Sequence, residues 1–455
     1  MGKLITSKRL NYIVKNSSEK IYYHALFGNA KLIDSNTEKI LDYFKEGKKE
    51  EDIFEEFNLT SESRIVVRTI IEDLKDSYYL IKESDDEEKI LQNKNKEFVK
   101  KACEGFPFEF IGFNITHRCN FACKYCIAGA NKIIEEENVF EKEKIKYYIF
   151  KFANELIENK KSTLNIGFTG GEPLLRWNDF KEIVEDTYKM YSEKLNIEIF
   201  INTNVSLVTD DIAHFFATHN VHPSTSLDGV RQWNNKVRIG KNGKGTFDDI
   251  MNGIHTLRRN EVECSGFYLT LTCGNFDFDV DELIQFAKNN EFRSITIEPD
   301  LVKSLAIENT RLCQKLLECY EKGQANGINI TGFWKRPYKN MVDFRKSNNG
   351  FCRALGLKSI VITSNGYLSP CGYSSLELTK IHTFKELCMD ERYIKFIEDN
   401  LRGNIAKCKG CPIEGTCKGG CLMSRDTNKV STFDYRCGLY LKMTELLLKR
   451  ANFHE

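Results

Sequence analysis

Cysteines do most to restrict what this chain can become. Three stand at Cys119, Cys123 and Cys126 inside THRCNFACKYC, eight more lie from Cys352 onward, and the other five of the sixteen are scattered at 103 and between 264 and 319. The opening, MGKLITSKRL, lacks the apolar core of a signal peptide, and no apolar run approaches the ~18 residues of a membrane span. The chain is therefore expected in the cytoplasm, with no membrane partner. That compartment keeps thiols reduced, so dense cysteine points to metal or cluster ligation and away from a disulfide framework. Three thiols so spaced cannot fill the four positions of a zinc without a distant residue, whereas on a cubane cluster they leave one iron open. Charge narrows the field further. Lys+Arg 66 against Asp+Glu 65 leaves no field to draw in nucleic acid or an anionic membrane.

At 455 residues the chain is long enough for two or three domains. Residues 1–85 begin with short alternating runs, RLNYIVKN, KIYYHALF and AKLIDS, that read as strands of a small sheet. Helices follow: DSNTEKILDYFKEG with a Ser or Asn cap, KKEEDIFEEFN, and TSESRIVVRTIIEDLKDSYYLI. Residues 86–108 are charged and read as a linker with a connecting helix. From 109 to about 330 the pattern changes to apolar strands alternating with helices: FIGFNIT, LNIGFTG, IEIFINTN, HPSTSL, GFYLTLT and SITIEP. Such an array folds as a parallel α/β sheet of the partial-barrel kind, with its site in the loops after the strands. The cysteine triplet follows the first strand. Residues 331–455 carry the second cysteine zone.

Cys-x3-Cys-x2-Cys after a strand resembles the signature of radical S-adenosylmethionine (SAM) enzymes, and the resemblance implies a partial (β/α)6 barrel, a [4Fe-4S] cluster and S-adenosylmethionine. It also implies roles for other residues. Gly170, Gly171, Glu172 and Pro173 match the GGEP segment whose backbone meets the cofactor's amino group, where glycine allows close approach. Tyr125 takes the aromatic position near adenine. Asn204, Ser226 and Asp228 match ribose and carboxylate contacts at the ends of the third and fourth strands, and Arg238 matches an arginine that pairs with the methionine carboxylate. Where relatives often have His-Asp, this chain has Asn234-Asn235.

The later cysteines resemble the SPASM pattern of radical enzymes with two auxiliary clusters, for three [4Fe-4S] clusters in all. Cys408, Cys411, Cys417 and Cys437 would close one, while Cys352, Cys371 (in Gly366-x4-Cys371) and Cys421 would serve the other and leave it one ligand short. Residues 1–85 resemble the winged-helix-like leader-recognition (RRE) domain of enzymes that modify ribosomally made peptides, where a strand edge takes the leader as an added strand. The expected partners are a precursor peptide with a leader and an electron donor such as flavodoxin or ferredoxin.

The expected activity is a radical SAM peptide maturase that joins a cysteine sulfur to a carbon of another residue as a thioether. Carbon-carbon cyclisation or epimerisation of such a peptide is the competing reading. Formylglycine formation in a sulfatase is a third, against which stands Gly372, since those enzymes place an Asp directly after the matching cysteine. A zinc-bearing nucleic-acid regulator is the non-enzymatic possibility. Cys103, Cys264, Cys273, Cys313, Cys319 and Cys388 are expected as small core residues, unless Cys388 closes the three-cysteine set.

Overall fold

The computed structural model describes residues 2–17, 19–129, 139–300, 307–344, 349–374, 376–425 and 430–453. Its first part runs through β1 (Leu4–Thr6), β2 (Leu10–Val14), β3 (Lys20–His24), β4 (Gly28–Ile33), α1 (Ser35–Tyr43), α2 (Asp52–Glu56), α3 (Ser61–Asp76) and β5 (Leu80–Lys82). Strands β2, β3 and β4 form an antiparallel sheet, and β1 pairs with β5. The cap of α1 is Asp34, whose carboxylate accepts from Thr37 N, where Ser35 or Asn36 was expected. A carboxylate there also suits the positive end of the helix. Thr60 caps α3.

Period-two alternation divides β3 between two cores. Tyr22 joins Ile40, Phe44, Phe54 and Leu74 beneath the helices, while Ile21 and Tyr23 turn the other way into the main core of the molecule. Both faces of this small sheet are therefore covered. Helix α4 (Glu87–Glu104) then leads to the barrel, and Glu87 at its start accepts a hydrogen bond from Nε2–H of buried His24 at 2.5 Å, while His24 Nδ1 accepts from Leu26 N and Phe27 N.

The next strands are β6 (Phe110–Thr116), β7 (Thr163–Gly170), β8 (Asn196–Thr203), β9 (Val221–Thr225), β10 (Gly266–Leu271) and β11 (Ser294–Pro299), at the places the apolar runs announce. Neighbours pair in parallel, except that between β9 and β10 the ladder shrinks to one bridge, Ser226 to Tyr268. Three extensions went unread: β12 (Asn329–Thr331) follows β11 in parallel, β13 (Ser359–Ile362) pairs in parallel with β6, and β14 (Leu368–Ser369) lies antiparallel on β13. The site-bearing tail is thereby tied to the first barrel strand.

Outward residues such as Ile111, Phe113, Ile166, Ile199 and Ile297 are fully buried under the surrounding helices. Inward residues Asn114, Thr169, Asn202, Tyr268, Thr296 and Glu298 keep part of their surface exposed, because they face a hollow. Its floor is aromatic. The Phe110 ring occupies the space over Gly167, where a Cβ would stand 2.2 Å from it, and lies 6.0 Å from the Phe200 ring. Among the described residues no helix is long and apolar enough to cross a membrane.

Candidate functional site

The loop after β6 carries Cys119, Cys123 and Cys126, and two other loops brace it. Ala122 N and Lys124 N donate to Ile239 O and Val237 O at 2.7 and 3.0 Å, while Gly171 N and Glu172 N donate to Thr116 O and Arg118 O, both at 2.8 Å. A Cβ on Gly170 would lie 2.0 Å from Thr116 O, and one on Gly171 2.0 Å from Arg118 O. Only glycine lets these loops meet. The approach visible here is thus to the cysteine loop. Glu172, 1% exposed, accepts from Leu174 N at 3.0 Å, Thr203 Oγ1 at 2.7 Å and Asn204 N at 2.7 Å, and so locks its loop to the end of β8. Pro173 opens the short helix that follows. Asn204 donates to Asn120 Oδ1 at 2.8 Å and reaches Cys119 Sγ at 3.9 Å.

Tyr125, Asp228 and Arg238 form one buried network beside the triplet. Tyr125 OH donates to Asp228 Oδ2 at 2.5 Å, and Arg238 donates Nη2 to Tyr125 OH at 2.5 Å, Nε to Asp228 Oδ2 at 3.1 Å and Nη1 to Cys123 Sγ at 3.7 Å. Asp228 Oδ1 accepts from Thr270 N at 2.9 Å. Both carboxylate oxygens of Asp228 are therefore engaged within the protein, and it acts on the site through the phenol and the guanidinium. The Asn pair has structural work: Asn234 Oδ1 accepts from Asp228 N, and Asn235 Oδ1 from Thr246 N and Phe247 N at the start of the helix Phe247–Arg259. Ser226, half-buried, sits at the bridge between the two halves of the barrel.

The later cysteines gather in two groups. Cys408, Cys411, Cys417 and Cys437 line a cavity of about 190 Å³ with Glu414, Ser424 and Tyr440. Cys352 lies near enough to Cys371 and Cys421 to help raise both their thiols, and Cys421 adds to the rise at Cys371. Burial is the larger cause throughout, pushing Cys119 and Cys437 up to about 12 and Cys371 and Cys408 to about 11. Thiols so placed carry charge only when a metal compensates it. None of the sixteen is in a disulfide. Among the described residues no three metal-binding side chains converge on a point for a single ion. Four thiols lining one hollow offer the donors of a multi-iron cluster, so the set Cys408, Cys411, Cys417 and Cys437 fits one.

Cys388 does not complete the three-thiol group, because it lies against Cys103 on α4. Cys264, Cys313 and Cys319 are buried as expected, but Cys273 is exposed on the turn after β10. Three residues escaped the sequence reading. Tyr373 exposes 41% of its surface although it is deep in the molecule, since it faces the hollow, with its hydroxyl on Thr169 and both Cys371 and Cys126 within electrostatic reach. Glu298, on the inward face of β11, accepts from Phe333 N through Oε1 and leaves Oε2 without a partner among the described residues. Burial pushes its carboxyl up to about 7. A lone acid in the strand SITIEP was the available signal. Arg425 is the third.

Residues 113–287 match the model of the Radical SAM superfamily. Across 98% of this chain and 96% of the relative, 26% of residues are identical to the radical SAM cyclopropyl synthase TigE of Paramaledivibacter caminithermalis. A cysteine-type anaerobic sulfatase-maturating enzyme of Clostridium novyi is 27% identical over 68% of this chain and 86% of its own. Among solved structures, native anSMEcpe with bound AdoMet superposes with a TM-score of 0.62 at 18% identity, over 75% of this chain and 97% of that one. Streptococcus suis SuiB bound to precursor peptide SuiA gives 0.51 at 17% identity, over 92% and 96%. These likenesses show the fold, and residues 113–287 are a radical SAM domain.

Proposed function

We propose that this radical SAM domain works within a maturase of a ribosomally made peptide, whose leader is held by residues 1–85 and whose target residue enters the barrel hollow. Cys119, Cys123 and Cys126 are the thiols for the radical-generating cluster, Cys408, Cys411, Cys417 and Cys437 those for one auxiliary cluster, and Cys352, Cys371 and Cys421 those for the other. Held by these three thiols, a [4Fe-4S] cluster with S-adenosylmethionine would supply the radical chemistry that removes a hydrogen atom from the peptide. The chain's own residues place the reactants. Arg238, its charge held by Asp228, presents a fixed cation beside Cys123 for the cofactor's carboxylate, and the glycine pair holds the cysteine loop open to it.

One observation carries the choice of bond. Tyr373 faces the hollow with both Cys126 and Cys371 within electrostatic reach, which supports a reading in which the triplet and the three-thiol set serve one hollow. The position the three thiols leave unfilled suits a cysteine thiolate of the peptide, next to the carbon that loses hydrogen, and this favours a thioether. The second reading, carbon-carbon ring closure, is favoured by full-length similarity to a cyclopropyl synthase. Formylglycine formation is disfavoured at Gly372. A side chain there would begin 3.1 Å from Asn114 Oδ1 and from Thr169 Cγ2, and Gly372 O already accepts from Asn114 Nδ2 at 2.7 Å.

The test is anaerobic incubation of the reconstituted protein with a cysteine-bearing precursor, S-adenosylmethionine and reduced flavodoxin, followed by mass spectrometry with thiol alkylation. Loss of two hydrogens with a thiol that no longer alkylates marks the thioether. The same loss with the thiol still reactive marks ring closure. An unmodified peptide alongside cofactor cleavage removes that peptide as substrate.

A further inference from the structure

We propose that Arg425 is the common electrostatic partner of the two auxiliary clusters, its guanidinium aimed between the two cysteine groups so that Nε–H and Nη2–H donate to cluster or thiolate sulfur and raise both reduction potentials. This inference rests on the reading of the seven C-terminal cysteines as ligands of two auxiliary clusters, and it assigns a task to a residue outside both cysteine sets.

Arg425 follows the short helix Leu422–Ser424 that leaves Cys421, and its own N–H is anchored on Leu422 O at 2.8 Å. This short tether turns the side chain inward. Nη1 lies 3.4 Å from where a Cβ of Gly419 would be, so the group sits over the segment joining Cys417 to Cys421, which belong to different groups. Nε and Nη2 are buried and have no hydrogen-bond partner among the described residues, and no described carboxylate pairs with the group. The charges that bear on it come from both cysteine groups, the thiols of Cys408 and Cys417 and those of Cys421 and Cys352.

An arginine cannot shed its proton in a protein, so its charge stays where the fold puts it. The residue is half-buried, and sealing two of its donors from water without a counter-charge is destabilising. Thiolate-ligated clusters are anions, and two of them flanking the guanidinium provide what the polypeptide does not. Two N–H groups without acceptors likewise find them in sulfur. Hydrogen bonds to cluster sulfur and local net charge are levers that set cluster potentials. A fixed positive charge favours the reduced, more negative state of each cluster, so both midpoints rise together.

The experiment is a redox titration followed by electron paramagnetic resonance, on full-length chains in which Cys119, Cys123 and Cys126 are Ala, so that auxiliary signals stand alone. Iron is counted first. Absence of auxiliary iron in this background with Arg425 intact would remove the cluster reading itself, separately from the claim about Arg425. With both clusters present, Arg425→Gln is expected to lower both midpoints, each by about tenfold in the reduction equilibrium, or ~59 mV for one electron. Arg425→Lys, which keeps the charge and loses the fork, is expected to lower them less. If Arg425→Gln loses a cluster while Arg425→Lys keeps both with lowered midpoints, charge compensation is supported. Unmoved midpoints in Arg425→Gln, movement of one cluster alone, or equal loss of iron in both variants would overturn the inference.

Discussion

Arg238 is 6% exposed and Asp228 1%, and the two meet through Nε and Oδ2 with Tyr125 closing the triangle. Breaking one partner of a buried pair strands the other charge. Asp228→Asn is therefore expected to cost about 3–5 kcal/mol of stability, measured by denaturation of the cluster-free chain. Tyr125→Phe leaves the pair intact and removes only a hydroxyl, at about 1–3 kcal/mol. Both should weaken S-adenosylmethionine binding in calorimetric titration; unchanged affinity in Asp228→Asn would separate Arg238 from the cofactor. The sequence made all three residues visible as motif members. It could not show that Asp228 has both oxygens taken, because Thr270 and Arg238 reach it from other strands and loops.

At the scale of elements, loop contact and strand edges carry the predictions. Gly171→Ala drives a Cβ into Arg118 O, so the GGEP loop and the cysteine loop must part. The variant is expected to lose the triplet's iron while auxiliary iron is kept, as read by iron per chain. In the proposed function, leader capture falls to the edges of the β2-β3-β4 sheet. Lys15 N donates to Glu19 O and Ala25 N to Arg9 O, so odd-numbered residues of β2 face β3 and Tyr12 turns its N–H outward. By the same alternation Leu32 turns outward on β4, the edge that Lys31 ties to Asp73 of α3. Proline is tolerated where the N–H faces away from the sheet. One of Tyr12→Pro and Leu32→Pro should lower the affinity of a labelled leader peptide with little change in melting temperature. Unchanged affinity in both would rule out strand addition at this sheet.

For the whole molecule, the first 85 residues pack against the C-terminal cysteine-rich region. Ile21, Tyr23 and Ala30 lie in the main core, Gly415 N donates to Ala25 O at 2.8 Å, and a Cβ on Gly415 would stand 1.8 Å from Leu26 O. Deleting residues 1–85 exposes apolar partners worth roughly 1.5–3 kcal/mol for each large side chain. The truncated chain is expected to lose auxiliary iron and aggregate on gel filtration. A truncated monomer with full iron would show a detachable module. Composition marked a border near 85, yet β3 serves two cores, because alternate residues of one strand face opposite sides.

By itself the sequence determined the cysteine spacings, the glycine pair and the apolar runs that make the barrel strands. All are short-range patterns, written within a few residues of one another. Only the tertiary structure decided that Cys388 meets Cys103, that Tyr373 has Cys126 and Cys371 within electrostatic reach, that β13 joins the tail to β6, and that Arg425 has two buried donors without partners among the described residues. These depend on where the chain returns after many residues, and packing of the whole core sets that return.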